Sequence, residues 1–255
     1  HLVYSSRMSA IVDSNALQDG YQLYHHTFFF TADGKHWAVV QQGMNEENRM
    51  ARRYHWLGDK VSNFVCEPHS AVCCDIKSDV LNLVDKQSED SRKTIAALAC
   101  EKPKTLIKDL EKVKEFEQKY NDKVKSNNYF KNITLPKRHA IYLSDLNQKR
   151  FEKILLTTYE KKPANFEKLL CMPGIGPKTI RALAMISELV YGVKYSINDP
   201  ARFSFAHGGK DGIPYPVDRA NYDKSIEILR VAVAESKIDR SEKINALKRL
   251  AYFYK

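Results

Sequence analysis

The sequence lacks the features that mark secreted, membrane and repeat proteins. Its five cysteines form no Cys-x-x-Cys pair, and their odd number argues against a disulfide framework or a cysteine zinc site. No apolar run approaches the ~20 residues that a helix needs to cross a bilayer. There is no internal repeat and no low-complexity tract. With 43% hydrophobic residues the chain can bury one large core or two modest ones, and we expect a cytoplasmic protein with reduced thiols.

Acidic residues are scarce in the second part of the chain. Residues 1–100 hold 10 Lys and Arg against 12 Asp and Glu, whereas residues 101–255 hold 31 against 19. The formal net charge of +10 therefore resides in the second part. A Lys-rich surface of the thermophilic type would carry matching acids, and these are missing from the same part. The imbalance favours a nucleic-acid partner.

The first hundred residues predict a β-containing unit. Residues 21–30 are rich in aromatic and β-favouring side chains, residues 31–35 supply a turn, and residues 36–43 return as a second strand. This pattern predicts a β-hairpin. Shorter elements are expected around it: helices at about residues 5–13 and 88–100, and strands within residues 64–74 and 80–84.

Beyond Pro103 the spacing of apolar residues becomes helical. Apolar side chains recur three and four positions apart from Leu106 to Val124, with lysines on the other face. We therefore expect an α+β fold in two units. Residues 1–100 form a small antiparallel β-containing unit, taken as the remainder of a larger N-terminal domain, and residues 101–255 form an all-helical unit. Further helices are predicted at about residues 145–158, 164–171, 177–191, 223–236 and 241–254.

The most distinctive segment is the run Leu-Leu-Cys-Met-Pro-Gly-Ile-Gly-Pro-Lys-Thr at residues 169–179. It predicts the end of one helix, a tight turn and the immediate start of a second helix at Pro177. The two glycines allow positive φ and close approach to a partner, and the free N–H groups of the second helix suit a phosphate. The segment resembles the helix-hairpin-helix motif of DNA repair and replication proteins, which holds the DNA backbone without reading its sequence.

This resemblance implies a DNA-binding hairpin at about residues 164–191, with Ile175 as the apolar plug of its turn. An ordinary glycine-containing turn between two helices is the alternative. Outside the hairpin, Arg52 and Arg53 are candidates for phosphate contacts or for structural ion pairs. The predicted DNA contacts of the hairpin are Gly174, Ile175, Gly176, Lys178, Thr179 and Arg181.

A second group of candidates is polar and lies on the predicted β-hairpin. His25 and His26 are neighbours on one strand and Gln41 and Gln42 on the other, so one histidine and one glutamine share a face. Asp19 precedes the first strand and turns back over its start. A carboxylate beside a histidine suits acid–base chemistry on a phosphodiester. The alternative is a set of half-buried strand histidines with glutamines that satisfy buried backbone groups.

Asp13 extends this group if the helix at residues 5–13 packs on the same face. Asp13 and Asp19 would then form a carboxylate pair. Hard oxygen ligands suit Mg²⁺ or Mn²⁺ better than Zn²⁺. The sequence therefore predicts a metal site at Asp13 and Asp19 that serves phosphodiester cleavage.

Lys178 and Asp218 form a third candidate pair. They resemble the lysine nucleophile and the downstream Val-Asp of helix-hairpin-helix DNA glycosylases, which implies a glycosylase/lyase. The 40 positions between them exceed the separation in those enzymes. A lysine at this position also occurs in non-catalytic hairpins, where it contacts phosphate.

A glycine-rich segment at residues 205–214 contains Lys210 and His207. Its backbone N–H groups and side-chain donors suit an anion, although it is no Walker-type loop. A structural glycine-rich crossover is the alternative. Lys210 is therefore a further candidate for a phosphate contact.

Four phrases resemble an archaeal and bacterial family known as domain of unknown function 763. They are Gln-Asp-Gly-Tyr-Gln-Leu-Tyr-His-His at residues 18–26, and the runs at residues 40–45, 51–56 and 206–214. The resemblance covers nearly the whole chain and brings no established activity. Members of that family carry a segment ahead of the position of residue 1, so we expect this chain to be truncated.

Together these patterns favour a DNA-binding protein of repair or recombination. Metal-dependent nuclease activity, with Mg²⁺ or Mn²⁺, is the leading enzymatic hypothesis. One alternative is a non-catalytic DNA-binding module that recruits a partner, and another is a DNA glycosylase/lyase that uses Lys178 and Asp218. An open pocket around Asp19 and a histidine would favour the nuclease, whereas their burial or separation would favour the module.

Overall fold

The computed structural model describes residues 1–45, 50–74, 76–124, 148–202 and 219–251. Contacts between residues cluster into two compact units, residues 1–203 and residues 204–255. The boundary between these units follows residue 203, whereas the balance of basic and acidic residues changes near residue 100. Within the described part, a first helix is followed by six strands and then by helices, with one further short strand at Ala201–Arg202, and the predicted α+β class is confirmed.

The first unit contains both sheets. Its strands are β1 (Leu17–Gln18), β2 (Gln22–Phe30), β3 (Trp37–Asn45), β4 (Met50–Leu57), β5 (Ala71–Cys73), β6 (Leu81–Asn82) and β7 (Ala201–Arg202). Its helices are α1 (Leu2–Asn15), α2 (Glu89–Leu98), α3 (Pro103–Val124), α4 (Gln148–Lys161), α5 (Phe166–Leu170) and α6 (Pro177–Leu189). The second unit contains α7 (Arg219–Glu235) and α8 (Arg240–Ala251).

Five strands form the main sheet in the order β2-β3-β4-β5-β7, and β1 pairs with β6 in a separate two-stranded sheet. Neighbours among β2 to β5 are antiparallel, whereas β7 runs parallel to β5. The predicted β-hairpin is present as β2 and β3. Its register places His26 opposite Gln41 and His25 opposite Gln42.

Strand alternation gives the main sheet one buried face. Trp37 and Val39 on β3 and Tyr54 and Trp56 on β4 are buried, while the residues between them are partly exposed. The same alternation carries polar side chains into the interior, because Gln41 shares the face of Val39. The buried face of the sheet is therefore apolar at one end and polar at the other.

One hydrophobic core joins the sheet to the helices through α6. α1 packs against β2, β3, α5 and α6, and its Met8 and Val12 are fully buried. α2 contacts α5 and α6, and α3 contacts α4 and α6. The predicted amphipathic spacing on α3 is confirmed at Leu106, Leu110 and Val113, which are buried. Among the described helices, none is both long and apolar enough to cross a bilayer.

β4 is an element that the sequence analysis missed. Two adjacent arginines, Arg52 and Arg53, interrupt the alternation of apolar and polar residues in its sequence. Buried and partly exposed residues do alternate along the strand, but only because Arg52 is buried. β7 was missed as well and lies in the part predicted to be all-helical. Its two residues join the sheet through pairing with a strand that is distant in sequence, which local patterns do not reveal. The strand expected within residues 64–74 is confined to Ala71–Cys73.

Candidate functional site

A tight turn at residues 171–176 joins α5 to α6 and is called the α5–α6 turn below. Asn165 caps α5, since its side chain accepts a hydrogen bond from the Lys168 N–H at 2.9 Å. Within the turn, the N–H of Ile175 donates to the carbonyl of Met172 at 3.2 Å. Gly174 adopts φ +86°, a left-handed conformation that favours glycine. Gly176 then has extended backbone and occupies the N-cap of α6.

The α5–α6 turn is anchored on one side and open on the other. Ile175 is only 8% exposed and belongs to the core, as expected of the apolar plug. A Cβ placed on Gly176 would meet no atom within 4 Å. The side chain of Lys178 is exposed. Among the described residues, no acceptor binds the N–H groups of Gly176, Lys178 and Thr179.

Two predicted contacts of the hairpin face inward instead. The side chains of Thr179 and Arg181 are buried on α6, and the Arg181 guanidinium lies 5.8 Å from the centroid of the Tyr195 ring. The first turn of α6 also contacts β1, because Gln18 Nε2 donates a hydrogen bond to the carbonyl of Pro177 at 2.8 Å. Thr179 therefore offers its backbone N–H to the open side, but not its side chain.

The helix that packs behind the turn, α4, carries exposed basic residues. A Cβ on Gly174 would lie 3.4 Å from the side chain of Ile154, so α4 packs behind the turn. Arg150 precedes Ile154 by one helical turn, and Lys149 and Lys153 are exposed on the same helix. The helix behind the turn therefore contributes positive charge to this part of the molecule.

A first polar cluster forms around Asp13, whose side chain is fully buried between α1 and the sheet. Gln41 Nε2 and Trp56 Nε1 donate to Asp13 Oδ2 at 2.5 and 2.9 Å. His69 Nε2 lies 2.5 Å from Asp13 Oδ1. Because a carboxylate only accepts, the contact with His69 is a donated hydrogen bond. On the other side, His26 Nδ1 lies 2.8 Å from Gln41 Oε1.

A second polar cluster surrounds Asp19, which is also fully buried. Arg52 Nη1 and the Tyr54 hydroxyl donate to Asp19 Oδ2 at 2.8 and 2.7 Å, and the Tyr21 N–H donates to Oδ1 at 3.1 Å. The guanidinium of Arg52 extends to Asp199, with Nη2 2.8 Å from Asp199 Oδ2. In this cluster one guanidinium faces two carboxylates, and all three side chains are closed to solvent.

The pKa values of the second cluster follow from its burial. Burial raises the pKa of Asp19 above its ordinary value, although Arg52 and Tyr54 oppose the shift. Burial disfavours the Arg52 cation, but Asp19, Tyr54 and Asp199 outweigh that effect and raise its pKa. Burial and the charge of Asp19 raise the pKa of Tyr54 well above its ordinary value. Tyr54 therefore stays a hydrogen-bond donor, and Arg52 is committed to two carboxylates.

The remaining predicted residues lie elsewhere. His25 and Gln42 are on the other face of the sheet, where the Tyr24 hydroxyl donates to Gln42 Oε1 at 2.7 Å. Arg53 is partly exposed on that face, opposite Gln42. Lys210 and Asp218 lie outside the described residues, so the pairing of Asp218 with Lys178 stays a prediction.

The polar residues of the hairpin are thus divided among three places. Asp13, His26 and Gln41 come together, Asp19 belongs to the cluster of Arg52, and His25 and Gln42 face away from both. Across the described ranges, no three His, Cys, Asp or Glu side chains converge on a position that could hold a metal ion. The Mg²⁺ or Mn²⁺ site stays a prediction.

Sequence reasoning did not identify His69 and Asp199. His69 lies 56 positions from Asp13, and Asp199 lies 147 positions from Arg52. Neither residue stands in a motif with recognisable spacing. The Pro that follows Asp199 and the Pro that precedes His69 mark irregular segments, which is a weak signal.

The chain belongs to the family described as "Protein of unknown function (DUF763)", whose model matches residues 1–217. No curated protein and no solved structure matches the chain significantly. The matched range includes the main sheet, both polar clusters and the α5–α6 turn. The family description assigns an activity to none of them.

Proposed function

We propose that this chain binds the sugar–phosphate backbone of DNA at the α5–α6 turn, without reading base sequence, as a protein of repair or recombination. The observation that carries the proposal is the set of unpaired backbone N–H donors of Gly176, Lys178 and Thr179 at the start of α6. These donors lie at the positive end of the α6 dipole. A helix N-terminus with free N–H groups is a site at which phosphate binds readily.

The glycines of the turn give a phosphate access to these donors. A Cβ on Gly176 would meet no atom within 4 Å outside its chain neighbours, so the turn is open on the side that this atom would face. Gly174 reverses the chain with its positive φ, and Ile175 fixes the turn to the core. The donors are thereby held in place before a ligand arrives, which lowers the entropic cost of binding.

Charge around the turn supports the same partner. Lys178 on α6 and Lys168 on α5 are exposed, and α4 adds Lys149, Arg150 and Lys153 behind the turn. Several exposed cations on the helices that meet at the turn suit a polyanion, whose condensed counterions they displace. Because the donors are backbone groups and flexible lysines, the contact is expected to tolerate any base sequence.

The proposal leaves out some predicted contacts. Arg52 is buried between Asp19 and Asp199, and the side chains of Thr179 and Arg181 are buried as well. A phosphate does not reach these groups unless the fold opens. For the same reason we propose no phosphodiester chemistry at Asp19, whose oxygens already accept from Tyr21, Arg52 and Tyr54.

The proposal is tested by measuring affinity for labelled duplexes of two unrelated sequences over a range of salt. We expect equal affinities for the two sequences and a steep loss of affinity with rising salt. Lys178→Gln should weaken binding to both sequences alike and reduce the slope of log affinity against log salt by about one.

The matched control is Lys35→Gln on the β2–β3 turn, which removes the same charge from an exposed position. It should bind DNA like the unchanged protein. Equal affinities of the Lys178 and Lys35 variants would contradict the proposal, because they would indicate attraction by net charge alone. A clear preference for one duplex sequence would also contradict it.

A further inference from the structure

A cavity of about 320 Å³ opens beside β5 and β7. The residues named as its lining lie outside the α5–α6 turn. His69, Ser70 and Arg202 contribute to its wall, together with Glu67, Asp85 and Asn198. Its volume falls within the range of pockets that hold small ligands. His69 connects this cavity to the buried Asp13 cluster.

The hydrogen bonds around Asp13 determine which nitrogen of His69 carries the proton. Asp13 accepts from Gln41, Trp56 and His69, so the neutral His69 ring is protonated at Nε2. Its Nδ1 then bears a lone pair, and no hydrogen-bond partner for that nitrogen exists among the described residues. The ring is further held edge-on to Trp56, with centroids 4.8 Å apart.

We infer that His69 is the general base of a hydrolytic site in this cavity, and that its substrate is a phosphodiester. The choice of substrate rests on the DNA binding proposed above. Asp13 acts as the positioning residue, because it fixes the tautomer and orientation of the His69 ring and compensates the imidazolium that forms. An aspartate behind a catalytic histidine has this role in hydrolases of unrelated fold.

One group of the cavity suits the phosphoryl oxygens. Arg202 has an exposed side chain on the cavity wall and supplies a cation. The Ser70 hydroxyl oxygen is closed to solvent, so we assign it no contact with the substrate. Of the two cavity carboxylates, Asp85 already accepts hydrogen bonds from Ser196 and Gln87.

The reaction is a hydrolysis with water as the nucleophile. A water oxygen bonds to phosphorus while His69 Nδ1 takes the water proton. The phosphorus–oxygen bond to the leaving alcohol breaks, the alkoxide takes a proton from solvent, and His69 returns its proton to solvent. The products are a phosphomonoester and an alcohol, and no metal or other co-reactant takes part. Ser70 is not the nucleophile, because the structure shows no hydrogen bond between its hydroxyl and His69.

The test uses the full chain and two probes in EDTA: bis(4-nitrophenyl) phosphate and a labelled DNA duplex with a single-stranded flap. We expect the unchanged protein to hydrolyse the small diester and cleave the duplex. His69→Gly should lower kcat by about 10²-fold or more, and added imidazole should restore part of it, because imidazole fills the vacated space as a base. Arg202→Gln should raise KM with little change in kcat.

The matched control is His55→Gln, a half-buried histidine on the other face of the sheet, which should keep full activity. The inference is overturned if the unchanged protein hydrolyses neither probe, if EDTA abolishes hydrolysis, or if a folded His69→Gly variant keeps its activity or gains nothing from imidazole. DNA affinity is measured on the same samples. If the unchanged protein hydrolyses the small diester but does not bind DNA, only the proposed function is contradicted. If it binds DNA but does not hydrolyse the small diester, only this inference is contradicted.

Discussion

At the scale of single residues, two buried carboxylates differ in the charge that faces them. Asp19 shares the guanidinium of Arg52 with Asp199, so its negative charge meets a permanent cation. Asp13 meets three N–H donors, of which only His69 is able to become positive. A buried charge is tolerated only when it is paired or well hydrogen-bonded. Asp19 therefore serves the fold, whereas Asp13 holds a histidine that lies on the wall of the cavity.

The two adjacent arginines of β4 should differ sharply in their effect on stability. Arg52→Met removes the cation between two buried carboxylates and should lower the free energy of unfolding by about 3–5 kcal/mol. Arg53→Met changes a partly exposed position and should have an effect within about 0.5 kcal/mol. Urea unfolding of both variants measures the difference. Similar losses in the two variants would contradict the assignment of Arg52 to a structural ion cluster.

Some contacts of these buried polar side chains are predictable from the sequence. Alternation along β2 and β3 predicts that one histidine and one glutamine share a face, and His26 and Gln41 do so at 2.8 Å. The contact of Asp13 with His69 is different, because His69 lies outside any regular element. Only the packing of α1 on the sheet brings the two side chains together. Periodicity reports which face a residue occupies, not which distant loop meets that face.

At the scale of elements, the α5–α6 turn combines local and tertiary support. α5 spans only Phe166–Leu170, too short to be stable as an isolated helix. Asn165 caps it, and Ile175 packs into the core beyond it. The turn therefore keeps its form because it is attached to the interior at both ends. The sequence predicts this element well, since proline, glycine and a buried isoleucine define it within a few positions.

The two glycines of the turn should respond differently to alanine. Gly174→Ala forces a Cβ into a left-handed conformation beside Ile154 and should lower the free energy of unfolding by about 1–2 kcal/mol. Gly176→Ala adds a Cβ to extended backbone in open space and should cost less than about 1 kcal/mol, through weaker capping alone. Urea unfolding again gives both values. A larger loss at Gly176 than at Gly174 would contradict the described turn.

In the whole molecule, the position at which the charge changes along the chain differs from the boundary between the two units. The excess of lysine and arginine begins after residue 100, yet one core joins the sheet to α6. Local periodicity predicts the class of the fold and most of its helices. It does not predict the order of the main sheet, because β7 pairs with β5 over more than a hundred residues. The acidic-to-basic transition thus falls within the first unit rather than at its edge.

Two substitutions at Gly176 directly test whether phosphate binds at the N-terminus of α6, as proposed. Asp and Ser are both favoured at a helix N-cap, and the position has extended backbone and open space. Gly176→Asp should leave the free energy of unfolding unchanged or higher and still repel phosphate, whereas Gly176→Ser caps the helix without the charge.

Affinity for a mixed-sequence duplex at fixed salt is the measurement, by fluorescence anisotropy on both variants. We predict that Gly176→Asp weakens binding by about tenfold or more, equivalent to about 1.4 kcal/mol, while Gly176→Ser, whose hydroxyl occupies one of the same donors without adding charge, weakens it less. Equal affinities of a folded Gly176→Asp variant and the unchanged protein would contradict phosphate binding at the N-terminus of α6.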